Sequence, residues 1–397
     1  MARSSNRKDA MPLPLEGIRV LDLGISTAGP YAARFLADLG AEVLKIEPIE
    51  GENARSLGLR YGDAGYLFHV NNYNKSSVVL RVQSDQGRRL FLELVAQSDV
   101  VIENFASGTM DRWGIGYDDC RAVNPSIVYC SAKGFGENGA LRDKRAFDTV
   151  VQGLCGLMDA TGDADDPPLK GGPSVCDLMT AAANAMACAS AIATRVPGES
   201  VFLDTALFDM GAWSMLQWWP YAAEGALERM GNRHPLHAPF GRFACADGEL
   251  FVAVEDDAAW AAIAARLGMD AGWTASERKR HEDAIEAALA AWLASRSMEE
   301  AARELQDAGV AATPVLALEQ VAALPLMQER ELVTTVHHPS NGAIPLLRSP
   351  LAVGGAARPP IRRLPPTLGE DTRRVVGELL RHEDEFETLV AGRVVAG

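Results

Sequence analysis

Ile18-Arg-Val-Leu-Asp-Leu-Gly24 is a short apolar run that stops at a glycine. Ser26-Thr-Ala-Gly-Pro30 follows it, a turn with proline at a helix start. Tyr31–Leu39 carries the helix, Gly40 stops it, and Ala41-Glu-Val-Leu-Lys-Ile-Glu47 is a second strand. Strand, loop, helix and strand within about 30 residues make a βαβ unit. An acidic residue, Glu47, closes the second strand, as it does in dinucleotide-binding folds. The loop Gly24-Ile-Ser-Thr-Ala-Gly29 is neither GxGxxG nor GxxxxGK(S/T). The dinucleotide fingerprint and the NTPase phosphate loop therefore both fail.

Outward from this unit the pattern repeats. Gln86–Gln97 reads as a helix, and Asp99-Val-Val-Ile-Glu103 as a buried strand leading into Asn104-Phe-Ala-Ser-Gly108. Ser126-Ile-Val-Tyr-Cys-Ser131 is the next strand, leading into Ala132-Lys-Gly-Phe-Gly136, and Val201-Phe-Leu-Asp-Thr205 is another. Strands that alternate with helices predict an α/β fold with a parallel sheet, and a ligand at the carboxyl ends of its strands. The loops beginning at Ser26, Asn104 and Lys133 should then share one edge. Lys133 and Arg112 are candidates for a basic site there.

Gly171-Gly-Pro-Ser-Val-Cys-Asp177 carries the sharpest chemistry. Glycines and proline make a turn, and Ser174 followed by Asp177 resembles a capping box. The helix that follows is rich in alanine, so another backbone can pack close to it. A carboxylate in the first turn of a helix is favoured in its ionised form by the partial positive charge there. Held in a pocket, Asp177 can act as a nucleophile on an activated acyl group. The alternative is an aspartate that caps the helix and does no chemistry.

Composition narrows the classes. The chain has 397 residues, 48% hydrophobic and 23% charged, with a net charge of -15. That is ample for a large core and unfavourable for nucleic acid or an anionic membrane as a partner. No run of about 18 apolar residues stands out, so no membrane span is expected. Residues 1–12 are expected to be a disordered leader. The six cysteines show neither CxxC nor zinc spacing and read as reduced thiols of a cytoplasmic protein. His234 and His237 lie three apart without a third ligand, so no metal is expected. Residues 211–231 hold Trp213, Trp218 and Trp219 and read as a linker, with a pocket wall as the other possibility. Residues 232–320 read as a small α+β domain. Pro339–Pro366 reads as extended chain over the surface.

In order along the chain, these stretches resemble the family III CoA-transferases. Relatives of that family include formyl-CoA transferase, the carnitine CoA-transferases and α-methylacyl-CoA racemase. The resemblance rests on Leu15–Leu23, Ala28-Gly-Pro30, Asp38–Glu47, Asn74-Lys-Ser76, Asp99–Phe105 and Asp111-Arg-Trp-Gly114. It continues through Ala132-Lys-Gly-Phe135, Asp148, Gly171–Asp177, Leu207-Phe-Asp209, Gly231-Asn-Arg-His-Pro235 and Leu368-Gly-Glu370. It implies an interlocked ring-like homodimer. Residues 13–210 would be a large Rossmann-like CoA-binding domain, and residues 321–397 a segment that returns to it. It implies acyl-CoA and a carboxylic acid as substrates, with no permanently bound cofactor. Asp177 falls on the family's catalytic aspartate, which attacks the thioester and passes through an anhydride and an aspartyl-CoA thioester. Thr27 and Ala28 match positions that offer backbone N–H groups to the reacting carbonyl. Asn104, Phe105, Arg112 and Lys133 match positions near CoA, and Lys75 a motif near its adenine end.

The chain departs from the family pattern in places. Formyl-CoA transferase has Gln where this chain has Thr27, a basic residue at Pro48, and a long glycine-rich loop without equivalent here, which argues against formyl-CoA and oxalate. The usual Gly-Glu-His-Thr reads Gly369-Glu-Asp371-Thr. The racemase branch needs a histidine before the aspartate aligned with Asp148, and Phe147 stands there. A racemase of the same fold and a non-catalytic CoA-binding protein are the alternatives. Cys176, beside Asp177, reads as a structural thiol.

Overall fold

The computed structural model describes residues 13–225, 228–353 and 358–397, so the leader expected at 1–12 lies outside the described residues. Six parallel strands form the main sheet: β1 (Arg19–Asp22), β2 (Glu42–Glu47), β3 (Lys75–Leu80), β4 (Val100–Glu103), β5 (Val128–Lys133) and β6 (Val201–Ala206). Their order is β3-β2-β1-β4-β5-β6, with Val20 opposite both Val43 and Val100. The order reverses between β1 and β4, where a ligand crevice belongs in such sheets. Strand β3 has no counterpart in the sequence analysis. Its start, Lys75-Ser-Ser77, is polar, yet all six residues are buried. Buried polar pairing, which no periodicity reports, makes it a strand.

Helix α1 (Ala28–Asp38) crosses from β1 to β2, and α2 (Asp85–Val95) covers the opposite face. Further on lie α3 (Asp148–Leu154), α4 (Val175–Thr194) and α5 (Leu207–Ser214). Helix α4 is long and apolar enough to cross a membrane by length and composition. It packs instead against α1 in one core, with Ala181, Ala185, Cys188 and Ala191 meeting Ala32 and Ala33. Side chains this small let two helices lie close and bury backbone as well as methyl groups.

Contacts divide the chain into two compact units. One comprises residues 13–156, 171–216 and 328–397. The other takes in 157–170 and 217–327, so it is wider than the expected 232–320 and claims most of the expected linker. Arg229 draws 157–170 into it, donating to the carbonyls of Asp159 and Asp163. This second unit holds an antiparallel sheet of β7 (Phe240–Cys245), β8 (Gly248–Ala253) and β9 (Ala311–Pro314). Helices pack around the wholly buried Trp260.

The C-terminal segment completes the first unit. Residues 333–347, partly expected as extended chain, form a hairpin of β10 (Val333–His338) and β11 (Gly342–Leu347), with Ile344 and Leu346 buried against Tyr73. Beyond it β12 (Val395–Ala396) adds antiparallel to the outer edge of β3. Asp371 is buried and accepts the Ser77 N–H, and Thr372 Oγ1 accepts that of Val79. Arg363 and Arg374 offset the Asp371 charge. The aspartate that replaces the usual histidine of this motif is thus a staple between the returning chain and β3.

Beneath the β1–α1 loop lies a buried charge network. Asp22 ends β1 between Lys75 Nζ at 2.7 Å and Lys45 Nζ at 3.7 Å, and Lys45 also faces Glu52 at 3.8 Å. Burial pushes the Asp22 carboxyl up, but the two ammonium groups outweigh it and hold it below the usual range. Lys75 makes two further bonds, to the Pro30 carbonyl and to Asn72. It is fully buried, and burial brings its ammonium down to about 8. Its ammonium bonds Asp22, Pro30 and Asn72 inside the core, so its structural part in this fold is clear. Removing one partner of a buried pair strands the other charge. Lys75→Ala is therefore expected to cost about 3–5 kcal/mol of unfolding free energy. Denaturant titration of wild type and variant checks this, and equal midpoints would refute it.

Candidate active site

Three strand ends and one helix start converge in the first unit. A cavity of about 290 Å³ is lined by Ser26, Thr27, Asn104, Lys133, Asp148 and Asp177, among others. The loops at Ser26, Asn104 and Lys133 thus share one edge of the sheet.

The β1–α1 loop is drawn tight. Asn104 Oδ1 accepts the Ile25 N–H at 2.7 Å while its amide donates to the Ile25 carbonyl at 3.0 Å. Asn104 is therefore occupied in shaping this loop. A Cβ on Gly29 would lie 3.0 Å from Gly24 Cα and 3.1 Å from Asn104 Oδ1, so the approach requires glycine. Ser26 takes φ 61, a left-handed conformation costly for a residue with a Cβ. Glu52 accepts its N–H and Asn71 donates to its carbonyl, which holds it there. Thr27 is the N-cap of α1, and Ala28 is its first residue. Their N–H groups stand at a helix N-terminus, where the first donors have no partner within the helix.

Asp177 lies in the first turn of α4. Ser174 occupies the N-cap position without a side-chain capping bond, so the expected capping box is not formed. Asp148 takes that role from another helix, accepting the Asp177 N–H on Oδ2 at 3.1 Å. Burial, and then the Asp148 charge, push the Asp177 carboxyl up to about 6. This reverses the direction expected from the helix terminus alone. Asp177 is half-buried. It is ionised at neutral pH and more basic than an ordinary carboxylate, which suits a nucleophile.

The other expected residues fall in different places. Lys133 lines the cavity, but Glu103 Oε1 at 2.5 Å and the Phe105 carbonyl at 2.9 Å already hold its ammonium. Phe105 packs edge-on against Trp113 with ring centroids 5.0 Å apart. Arg112 is exposed on a short helix and bonds Thr109. Phe147 is 72% exposed and lines the cavity, placing a hydrocarbon ring where the racemase pattern has histidine. Trp213 is exposed and is not among the cavity's lining residues, while Trp218 and Trp219 belong to the second unit. Cys176 is buried, and burial followed by the Asp148 carboxylate pushes its thiol up to about 12, so it is a structural thiol. His234 and His237 pack with their rings tilted by 33° in the second unit, 4.6 Å between centroids. Sequence reasoning missed Asp148 and Gln152 as site residues. Their spacing at the first and fifth positions of a short helix is the one local trace of the pairing.

Comparison with known proteins gives a consistent picture. A family model described as CoA-transferase family III matches residues 15–372. An acetyl-CoA:oxalate CoA-transferase of Acetobacter aceti is 34% identical, covering 93% of this chain and 95% of that protein. A succinyl-CoA:mesaconate CoA-transferase of Haloarcula hispanica is also 34% identical, covering 88% and 93%. The crystal structure of a CaiB/BaiF family protein from Brucella suis superposes with a TM-score of 0.81 at 31% identity, covering 93% of this chain and all of that one.

The position of Asp177 has a measurable consequence for stability. Its folded value lies above the ordinary 3.8, so the native state holds the proton more tightly than the unfolded chain. Keeping the carboxylate ionised therefore costs stability above about pH 6, and the cost disappears below about 3.8. Asp177→Asn is expected to stabilise the protein at pH 7 by on the order of 1–2 kcal/mol. The gain should vanish by about pH 4. Thermal unfolding across this pH range checks it, and a gain that did not depend on pH would refute the assignment.

Proposed function

The chain belongs to CoA-transferase family III, and from that premise we propose that it moves CoA from an acyl-CoA thioester to a free carboxylic acid with Asp177 as nucleophile. The observation that carries the proposal is the half-buried Asp177 carboxylate, more basic than usual, in one cavity with the N-terminus of α1. The Asp177 carboxylate attacks the thioester carbonyl, the C–S bond breaks, and CoA leaves as a thiolate. The product is a mixed anhydride. The thiolate then attacks Asp177 Cγ and expels the donor acid as a carboxylate, leaving an aspartyl-CoA thioester. The acceptor carboxylate attacks this thioester, forms a second anhydride and releases the thiolate again. Attack of the thiolate on the acceptor's carbonyl yields the new acyl-CoA and frees Asp177. No proton or electron is gained or lost over the cycle.

Each tetrahedral intermediate carries an oxyanion. The Thr27 and Ala28 N–H groups are the donors assigned to it, because they stand unpaired within their helix at its N-terminus, where Thr27 lines the cavity. Arg112, the exposed cation, is assigned to the CoA phosphates. Lys133, its ammonium held by Glu103, lines the cavity beside Asn104, and these two with Phe105 are assigned to the side that CoA meets. Phe147 can neither take nor give a proton, which favours transfer over two-base racemisation. The chain is proposed to act as an interlocked homodimer. Exposed Phe147, Met186 and Trp213, all in the first unit, support a surface that a second copy covers. Short dicarboxylic acids are the acceptors to try first, since both relatives described above are named for one. The departures at Thr27 and Pro48 place oxalate last among them.

Intact-protein mass spectrometry after incubation with a panel of acyl-CoAs tests the chemistry. An acyl or CoA adduct labile to hydroxylamine is expected on the wild type and absent from Asp177→Asn. An equal adduct on the variant would overturn Asp177 as the nucleophile.

A further inference from the structure

Asp148 does more in this site than accept one hydrogen bond. It opens α3 and is buried, as is Gln152 one turn later. Asp148 Oδ2 accepts the Asp177 N–H, and Oδ1 accepts from Gln152 Nε2. Gln152 Oε1 in turn accepts the Gly171 N–H at 2.8 Å, and its Nε2 also reaches the Pro173 carbonyl at 3.4 Å. One carboxylate and one amide thus hold both the turn that precedes α4 and the first turn of α4 itself. The Ser174 side chain makes no such bond.

The pair also sets the local field. Two carboxylates, Asp148 and Asp177, face one cavity. Lys133 is the other charged side chain among the lining residues, and Glu103 already holds its ammonium. The lining residues of the 24–29 loop, Ile25, Ser26 and Thr27, bring no charge, and α5 contributes Leu207. Behind the start of α4 the Cys155 and Cys176 thiols lie against Gly211. Among the described residues, burial and the Asp148 charge act on the Asp177 carboxyl and no cation offsets them.

We propose that Asp148 is a positioning residue for CoA transfer: with Gln152 it fixes the Asp177 backbone, and its carboxylate faces the Asp177 carboxylate in one cavity. This rests on Asp177 being the nucleophile. In the mixed anhydride the CoA thiolate can attack either of two carbonyls. Attack at the substrate acyl carbon breaks its bond to the Asp177 oxygen, expels Asp177 and runs backward. Attack at Asp177 Cγ expels the substrate carboxylate and runs forward. The weaker base leaves more readily, so a more basic Asp177 favours aspartyl-CoA formation in the first half of the cycle, and by the same rule slows the last step, in which Asp177 itself must leave.

The test measures kcat and kcat/KM against pH for the full chain and three variants. Asp148→Asn retains an oxygen for the Asp177 N–H but loses the charge. Its acid limb is expected to move down by ~1 pH unit, stopping short of 3.8 because burial remains. Asp148→Glu should restore the limb. Gln152→Ala keeps the charge and loosens the turn. Its kcat should fall roughly 10- to 100-fold with KM and the acid limb little changed. Superposed acid limbs for wild type and Asp148→Asn would overturn the electrostatic role, and an unchanged kcat in Gln152→Ala would overturn the clamp. If Asp148→Asn does not fold, Gln152→Ala and Asp148→Glu still decide. Wild-type adduct formation separates the two proposals. An adduct on Asp177 with superposed limbs removes this inference alone, whereas transfer without any adduct removes both.

Discussion

Asp22, held between two buried ammonium groups, is the contact on which the site depends. Strand β2 supplies Lys45 and β3 supplies Lys75, so the carboxylate at the end of β1 ties three neighbouring strands together. Lys75 also reaches into α1 through the Pro30 carbonyl, and Lys45 bonds the Gly24 carbonyl. The loop that presents Thr27 and Ala28 is therefore anchored from below by charges that have nowhere else to go. Such a network adds little net stability over an apolar core, but it strongly penalises any arrangement in which one member is missing. It specifies the loop's geometry more than it stabilises the fold.

Above this anchor, rigidity comes from smallness. Gly24 and Gly29 let the loop fold onto itself, and the alanine faces of α1 and α4 bring the two helix starts together. Those starts carry the two halves of the chemistry, N–H donors on one and a carboxylate on the other. The C-terminal segment holds β3 from the far edge through Asp371, Thr372 and β12. The strand that carries Lys75 is thus secured by residues nearly three hundred positions away.

At Asp177 two physical effects oppose each other. A helix N-terminus favours a carboxylate by about 0.3–1 kcal/mol, which is less than one pKa unit. Burial beside a second carboxylate moves the group the other way, up to about 6, so burial and Asp148 prevail. The result is an aspartate still ionised at neutral pH but more basic than a free carboxylic acid. Its placement costs folding energy, as chemistry at a buried charge commonly does.

Much was legible in the sequence. Alternating apolar strands and helices dictated the βαβ unit and the parallel sheet, because burial on both faces leaves a periodic trace. The ordered motifs from Leu15 to Leu368 carried the family, and Gly171–Asp177 carried the candidate nucleophile. What tertiary structure alone decided concerns partners far apart in the chain. Lys75 carried no sign in the sequence of being a core ion pair, because its burial depends on Asp22 and Asn72. Strand β3 stayed hidden because its polar start is satisfied by Asp22, Glu47 and Asp371. The direction of the Asp177 shift depended on desolvation and on Asp148, neither of which local spacing reports. Local patterns record which residues will be buried; which charges are buried together, and hence how strongly each holds its proton, is a property of distances that exist only once the chain has folded.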